Sequence, residues 1–103
     1  MKRKHEILKG KRLSKYQKKV LHIISDSSEN NYILEVWEMN TLKSTYTITD
    51  GENDLEDIRK STMDKLRQFD FLWNKQLPSS FEVIRTKHYI PERFRVQVFL
   101  ACM

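Results

Sequence analysis

The sequence predicts an α+β domain, a largely antiparallel sheet in the order β-β-β-α-β-β with one long amphipathic helix packed across a face. Three observations carry that expectation. Short apolar or alternating runs separated by turn residues recur before residue 50; a long stretch with apolar residues at intervals of three and four follows; two more alternating runs come after Pro78. At 103 residues the chain has room for a single hydrophobic core. The expected division is a basic flexible arm over 1–17 and one domain over 18–103.

Residues 1–19 hold nine of the 19 Lys and Arg and one of the 14 acidic residues, so the rest of the chain is net acidic although the whole is +5. Like charge and Gly10 weaken the helical pattern of Ile7, Leu8, Leu13 and Tyr16, which reads as an arm with a turn or two of helix from Leu13. Val20-Leu21-His22-Ile23-Ile24 is short, apolar and mostly β-branched, and Ser25 to Asn31 is dense in turn residues, which predicts a buried strand and a loop. Tyr32 to Met39 places Tyr32, Leu34 and Val36 on one face of a second strand, expected to pair with the first as a hairpin. Ser44 to Thr49 alternates Thr45, Thr47 and Thr49 with Tyr46 and Ile48, a third strand ending at Asp50-Gly51.

Asn53 and Glu56 have capping-box spacing, with Asp54 and Asp57 adding negative charge at a helix start. Leu55, Ile58, Thr62, Leu66, Phe69 and Trp73 then fall on one side of a helix of about five turns, ended by Pro78. Phe81 to Thr86 alternates as a fourth strand. Lys87 to Glu92 reads as a turn or bulge because Pro91 lacks a backbone donor. Phe94, Val96, Val98 and Leu100, alternating with Arg93, Arg95, Gln97 and Phe99, make the last strand.

Few residues suggest chemistry. His5, His22, His88 and Cys102 are far apart and lack metal-ligand spacing, and His22 reads as a hydrogen-bonded core histidine. Cys102 is the only cysteine, so no intrachain disulfide forms and a reducing compartment, nuclear or cytoplasmic, is expected. No serine sits in a nucleophile elbow, and with only Gly10 and Gly51 there is no glycine-rich phosphate loop. The acidic run Asp50, Glu52, Asp54, Glu56 and Asp57 lacks the EF-hand ligand pattern and is explained by capping. No cofactor, metal or catalytic residue is expected, and the chain reads as not an enzyme. Trp37, Tyr46, Phe81 and Phe94 are candidate base-stacking aromatics on a sheet, though aromatics under an amphipathic helix are expected in the core.

The order of several short motifs resembles the HORMA domain of checkpoint, meiotic, translesion-synthesis and autophagy proteins. Lys18-Lys19-Val20-Leu21-His22-Ile23-Ile24 is similar to that fold's first central strand, and Leu34-Glu35-Val36-Trp37 to its Leu-Glu-x-Trp strand. An amphipathic helix ending near Leu77-Pro78, then Phe81-Glu82-Val83-Ile84 and Tyr89-Ile90-Pro91-Glu92-Arg93-Phe94, follow in the family's order over residues 18–94. The resemblance implies a non-enzymatic protein–protein interaction module that captures a partner peptide or pairs with another such protein, as a homo- or heterodimer.

On that reading the last strand is an edge element that pairs with the partner through Arg93, Arg95, Val96, Gln97, Val98 and Phe99. The alternative function is a small nucleic-acid-associated protein, of viral or phage type, or an inhibitor of a host enzyme. There Lys2, Arg3, Lys4, Lys9, Lys11, Arg12, Lys15, Lys18 and Lys19 would contact nucleic acid or an acidic partner. No apolar stretch is long enough for a membrane span, so no membrane partner is expected.

Overall fold

The structure, a computed structural model, describes residues 7, 8 and 12–103. Ser14 opens the first helix, α1 (Lys15–Ser25), with a capping box: its hydroxyl accepts the Gln17 amide at 3.1 Å, and the Gln17 side chain accepts the Ser14 amide at 2.9 Å. Val20, Leu21 and Ile24 share one helical side and are fully buried. The expected strand over 20–24 is thus a helix. The β-branched run suggested extension, but the cap and the spacing of the buried residues decide otherwise.

A meander follows: β1 (Tyr32–Glu38), β2 (Lys43–Thr49) and β3 (Asp54–Ile58). The β2–β3 turn is tied by Asp50, whose carboxylate accepts the amides of Glu52 and Asn53 at 2.8 and 2.7 Å, while Gly51 takes φ 99°. The capping chemistry expected at Asn53 belongs to this turn, and the expected five-turn helix does not form. Its span divides into β3, a short α2 (Lys60–Leu66) and a strand β4 (Trp73–Gln76). Ile58, Thr62, Leu66 and Phe69, the middle of the predicted stripe, are buried, whereas Leu55 and Trp73 at its ends are exposed.

β5 (Val83–Tyr89) extends through the residues expected as a turn, and Pro91 precedes α3 (Glu92–Ala101), where the final strand was expected. Phe94, Val98 and Ala101, spaced by four and three, turn toward the core, and Glu92 puts an acid in the first turn. The element order is therefore α-β-β-β-α-β-β-α. The class is as expected: α+β, with a five-stranded, wholly antiparallel sheet in the order β3-β2-β1-β5-β4.

In the central strand β1, Ile33 faces Ile48 across one ladder and His88 across the other. Ile33, Ile48, Tyr46 and Ile58 lie on the same side of the sheet and join Val20, Leu21, Ile24, Met63, Leu66 and Val98 in one core, so the helices gather on a single face. Leu8 is also in this core, with Ile7, Leu13 and Tyr16 packed against it. Part of the segment expected as a free arm therefore belongs to the domain. The arm residues Lys2, Arg3, Lys4, Lys9 and Lys11 lie outside the described residues.

Helices α1 and α3 are tied together by the His22 ring stacked on Phe99 at 4.0 Å. Arg95 donates to three backbone carbonyls, Ile90 at 2.9 Å, Asp26 at 3.1 Å and Glu29 at 2.9 Å, fastening α3 to the loop after α1.

Candidate functional site

The residues expected as a partner-binding edge strand do not form one, because Arg93, Arg95, Val96, Gln97, Val98 and Phe99 are all in α3. Val98 is core, Arg95 is the loop fastener and Phe99 stacks on His22; Val96 and Gln97 point outward. The true sheet edges are β3 and β4. Of the basic residues, Arg12, Lys15, Lys18 and Lys19 are exposed at the start of the domain, and Lys19 is paired with Glu56 at 3.2 Å.

The densest polar network lies on the helical side. Glu35 in β1 receives the Ser44 hydroxyl at 2.8 Å and His88 Nε2 at 2.7 Å, and Arg67 reaches both Glu35 at 3.4 Å and the Tyr46 hydroxyl at 3.0 Å. Burial opposes the charge on Glu35, but the hydrogen bonds from His88 and Ser44 and the Arg67 charge hold its carboxyl below the ordinary value. Burial pushes His88 down, against the pull of Glu35 and with a smaller push from Arg67. The pair is thus an ionised carboxylate receiving a neutral imidazole N–H. Ser44 bonds the carboxylate rather than the imidazole, so this is not a nucleophile–base arrangement, and His88 at 4% exposure offers no face to a substrate.

The network fastens the sheet to α2, and its pH dependence follows. A histidine whose value is lower folded than unfolded takes a proton more readily when unfolded. Its contribution is whole above the ordinary value of about 6.5 and declines as pH falls below that. Urea unfolding should therefore show lower stability at about pH 5.5 than at about pH 7.5. His88→Gln should flatten that difference; a wild-type protein equally stable at both would contradict the neutral, buried imidazole. The depressed carboxylates Asp26, Glu35, Asp50 and Glu56 act in a separate, lower window, losing their contribution as pH falls below about 4.

Among the described residues, no group of three or more His, Cys, Asp or Glu is placed to hold a metal ion. Cys102 is buried, which pushes its thiol up to about 11, so little thiolate is present at neutral pH.

The other side of the sheet is built differently. Strand alternation puts Tyr32, Leu34, Val36 and Glu38 of β1, Lys43, Thr45 and Thr47 of β2, Asp54 and Asp57 of β3, Arg85, Lys87 and Tyr89 of β5, and Trp73 and Lys75 of β4 on the face away from the core. The Thr47 hydroxyl donates to Asp57 across this face at 3.0 Å. At the β4 end α3 reaches this side, its Phe94 ring edge-on to Trp73 at 6.5 Å; Arg85, Lys75, Trp73 and Thr45 are exposed and Tyr32, Leu34, Val36, Lys87 and Tyr89 half-buried.

Register orders this surface. Trp73 pairs with Tyr89 and Lys75 with Lys87, while Leu34 pairs with Lys87 and Val36 with Arg85. An aromatic row, Tyr32-Tyr89-Trp73, thus lies beside a basic row, Lys87-Lys75, with Arg85 next along β5. The Lys87 ammonium stands 4.6 Å from the Tyr32 ring centre and 5.4 Å from that of Tyr89, and the Arg93 guanidinium lies 4.9 Å from Trp73.

Of the aromatics named from sequence, Tyr46 is core, Phe94 packs against the core, Trp37 is half-buried on the helical side and Phe81 is exposed before β5. The face uses Tyr32, Tyr89 and Trp73 instead. The sequence signal for Tyr89 is the alternation Val83, Arg85, Lys87, Tyr89, which runs up to two residues short of Pro91. No described helix is long and apolar enough to cross a membrane. Comparison of the chain with protein-family models, curated proteins and solved structures finds no match.

Proposed function

We propose that this chain is a non-enzymatic binding module that takes an acidic partner on the open face of its sheet. The observation that carries the reading is the half-face of β1, β5 and β4, where Arg85, Lys87 and Lys75 cluster beside Tyr32, Tyr89 and Trp73, while the acids of this side lie away from the cluster, Glu38 at the end of β1 and Asp54 and Asp57 on the edge strand β3. The second face of an antiparallel sheet is commonly solvated and polar. Here rings and cations hold it, the combination that attracts anionic, partly apolar ligands. Peptide pairing along residues 93–99 has no strand to use, so the reading rests on the face and not on that edge.

The test is amide chemical-shift mapping of the full chain titrated with a soluble polyanion such as polyglutamate or heparin. Shifts should gather at Lys75, Arg85, Lys87 and Tyr89 and spare β3. Shifts confined to Lys15, Lys18 and Lys19 would move the function to the basic N-terminal stretch.

A further inference from the structure

We infer that the acidic partner of this face is a single-stranded nucleic acid, whose bases stack on Tyr32, Tyr89 and Trp73 while Lys75, Lys87, Arg85 and Arg93 meet its phosphates. The inference rests on the open-face reading and adds the ligand class.

The chemistry of the rings is the reason. The three aromatics come from three adjacent strands, which lie about 4.8 Å apart, so the row spans about 10 Å, room for two or three nucleotides. Cations hold positions over Tyr32, Tyr89 and Trp73 in the free protein. A cation over a ring marks an electron-rich π-face and sits there on a flexible stem; at Trp73 the ring also meets Phe94 edge-on at 6.5 Å, and Arg93 lies against both. A base arriving with its own π-face replaces the cation, and the displaced ammonium or guanidinium swings to the phosphate that the base brings. Each ring then keeps a partner and each cation gains a charged one.

An acidic peptide would satisfy the cations and leave the rings without a stacking partner. A duplex would present phosphates alone, its bases being paired and stacked on one another. Among acidic partners, the ligand that uses both rows is therefore an unpaired strand. Asp54 and Asp57 on the far half of the face, and Glu38 at the end of β1, set the limits of the path, because phosphates are repelled there. Leu34 and Val36, between the basic row and β2, offer apolar contact to the same bases.

The test uses the full chain and fluorescence-anisotropy titrations with labelled oligonucleotides of about twelve nucleotides, as single-stranded DNA, single-stranded RNA and a blunt duplex, at about 50 to 200 mM salt. The single strands should bind more tightly than the duplex. Tyr89→Leu, which keeps apolar bulk and removes the ring, should weaken single-strand binding about fivefold to a hundredfold and leave duplex binding nearly unchanged.

Trp73→Leu, at a position 40% exposed, loses the indole bond to the Asp70 carbonyl and the edge contact with Phe94, so it is first shown to melt cooperatively; it should then act in the same direction and serves if Tyr89→Leu melts early. Lys75→Gln should lower the log–log salt slope by about 0.7 for a single strand. Equal affinity for duplex and single strand, together with insensitivity to both ring variants, would overturn the inference. If polyglutamate still binds and is weakened by Lys87→Gln, nucleic acid is the wrong ligand and the open face stands. If neither probe responds to any of these substitutions, both readings fall.

Discussion

Leu21→Ala should be among the most destabilising single changes in the protein, costing about 2 to 5 kcal/mol, the range for deleting a buried leucine side chain from a core. Leu21 is fully buried in the core, with Val20 and Ile24 beside it on the same side of α1. Against a total stability of about 5 to 15 kcal/mol, that loss should lower the melting temperature by about 10 °C or more. Lys18→Ala, on the exposed side of the same helix, should change stability by less than about 0.5 kcal/mol. Thermal melts of the two variants, followed by circular dichroism, check the contrast. A strand over 20–24 would put Leu21 and Ile23 on one face and Val20, His22 and Ile24 on the other. Because the expected strand is buried on both faces, equal losses for Leu21→Ala and His22→Ala would favour that arrangement, and a Leu21→Ala melt unchanged from wild type would remove Leu21 from the core.

The core was more legible than the elements that deliver it. Leu66 and Phe69 were read as buried because they recur at helical spacing, and both are buried, yet only Leu66 is in a helix. Phe69 reaches the core from the turn after α2 and stacks on Phe71 at 4.9 Å. Apolar spacing reports what must be hidden, and a chain can hide the same residues with a strand, one turn and a loop. What decides among these is local chemistry: the Asp50 carboxylate and positive-φ Gly51 turn the chain back, so the next residues pair with β2 instead of continuing as helix.

The two terminal helices failed for opposite reasons. At α1 the decisive signal was present, since Ser14-Lys15-Tyr16-Gln17 is a capping box, but the β-branched run Val20 to Ile24 weighed more in the reading. At α3 the residues satisfy both periods at once. Phe94, Val96, Val98 and Leu100 alternate like a strand, while Phe94, Val98 and Ala101 make a helical stripe. Tertiary packing on α1 breaks the tie, and no local pattern reports that. The open face was half legible for the same kind of reason. Tyr32, Leu34 and Val36 were placed together from alternation alone, whereas their neighbours Lys87, Tyr89, Lys75 and Trp73 arrive through pairings between strands far apart in sequence.

Val96→Pro is the substitution that separates the two descriptions of the C-terminal segment. In a final edge strand, proline at this position would cost one ladder hydrogen bond and leave the core whole. Within α3 it sits at the middle of a ten-residue helix, where it removes an i→i−4 hydrogen bond and drives its ring against the preceding turn, at a cost of about 3 kcal/mol or more. The damage spreads because α3 carries the buried Val98 and Ala101, the Phe99 ring stacked on His22 and the Arg95 bonds to the loop after α1. Val96→Ala supplies the control: the side chain is 60% exposed, so its loss should change stability by less than about 0.5 kcal/mol. Urea unfolding should then show the proline variant with a midpoint far below both wild type and the alanine variant, and with reduced helical signal before the transition. A proline variant that unfolds at the wild-type midpoint with full helical signal would mean that residues 92–101 are not helical.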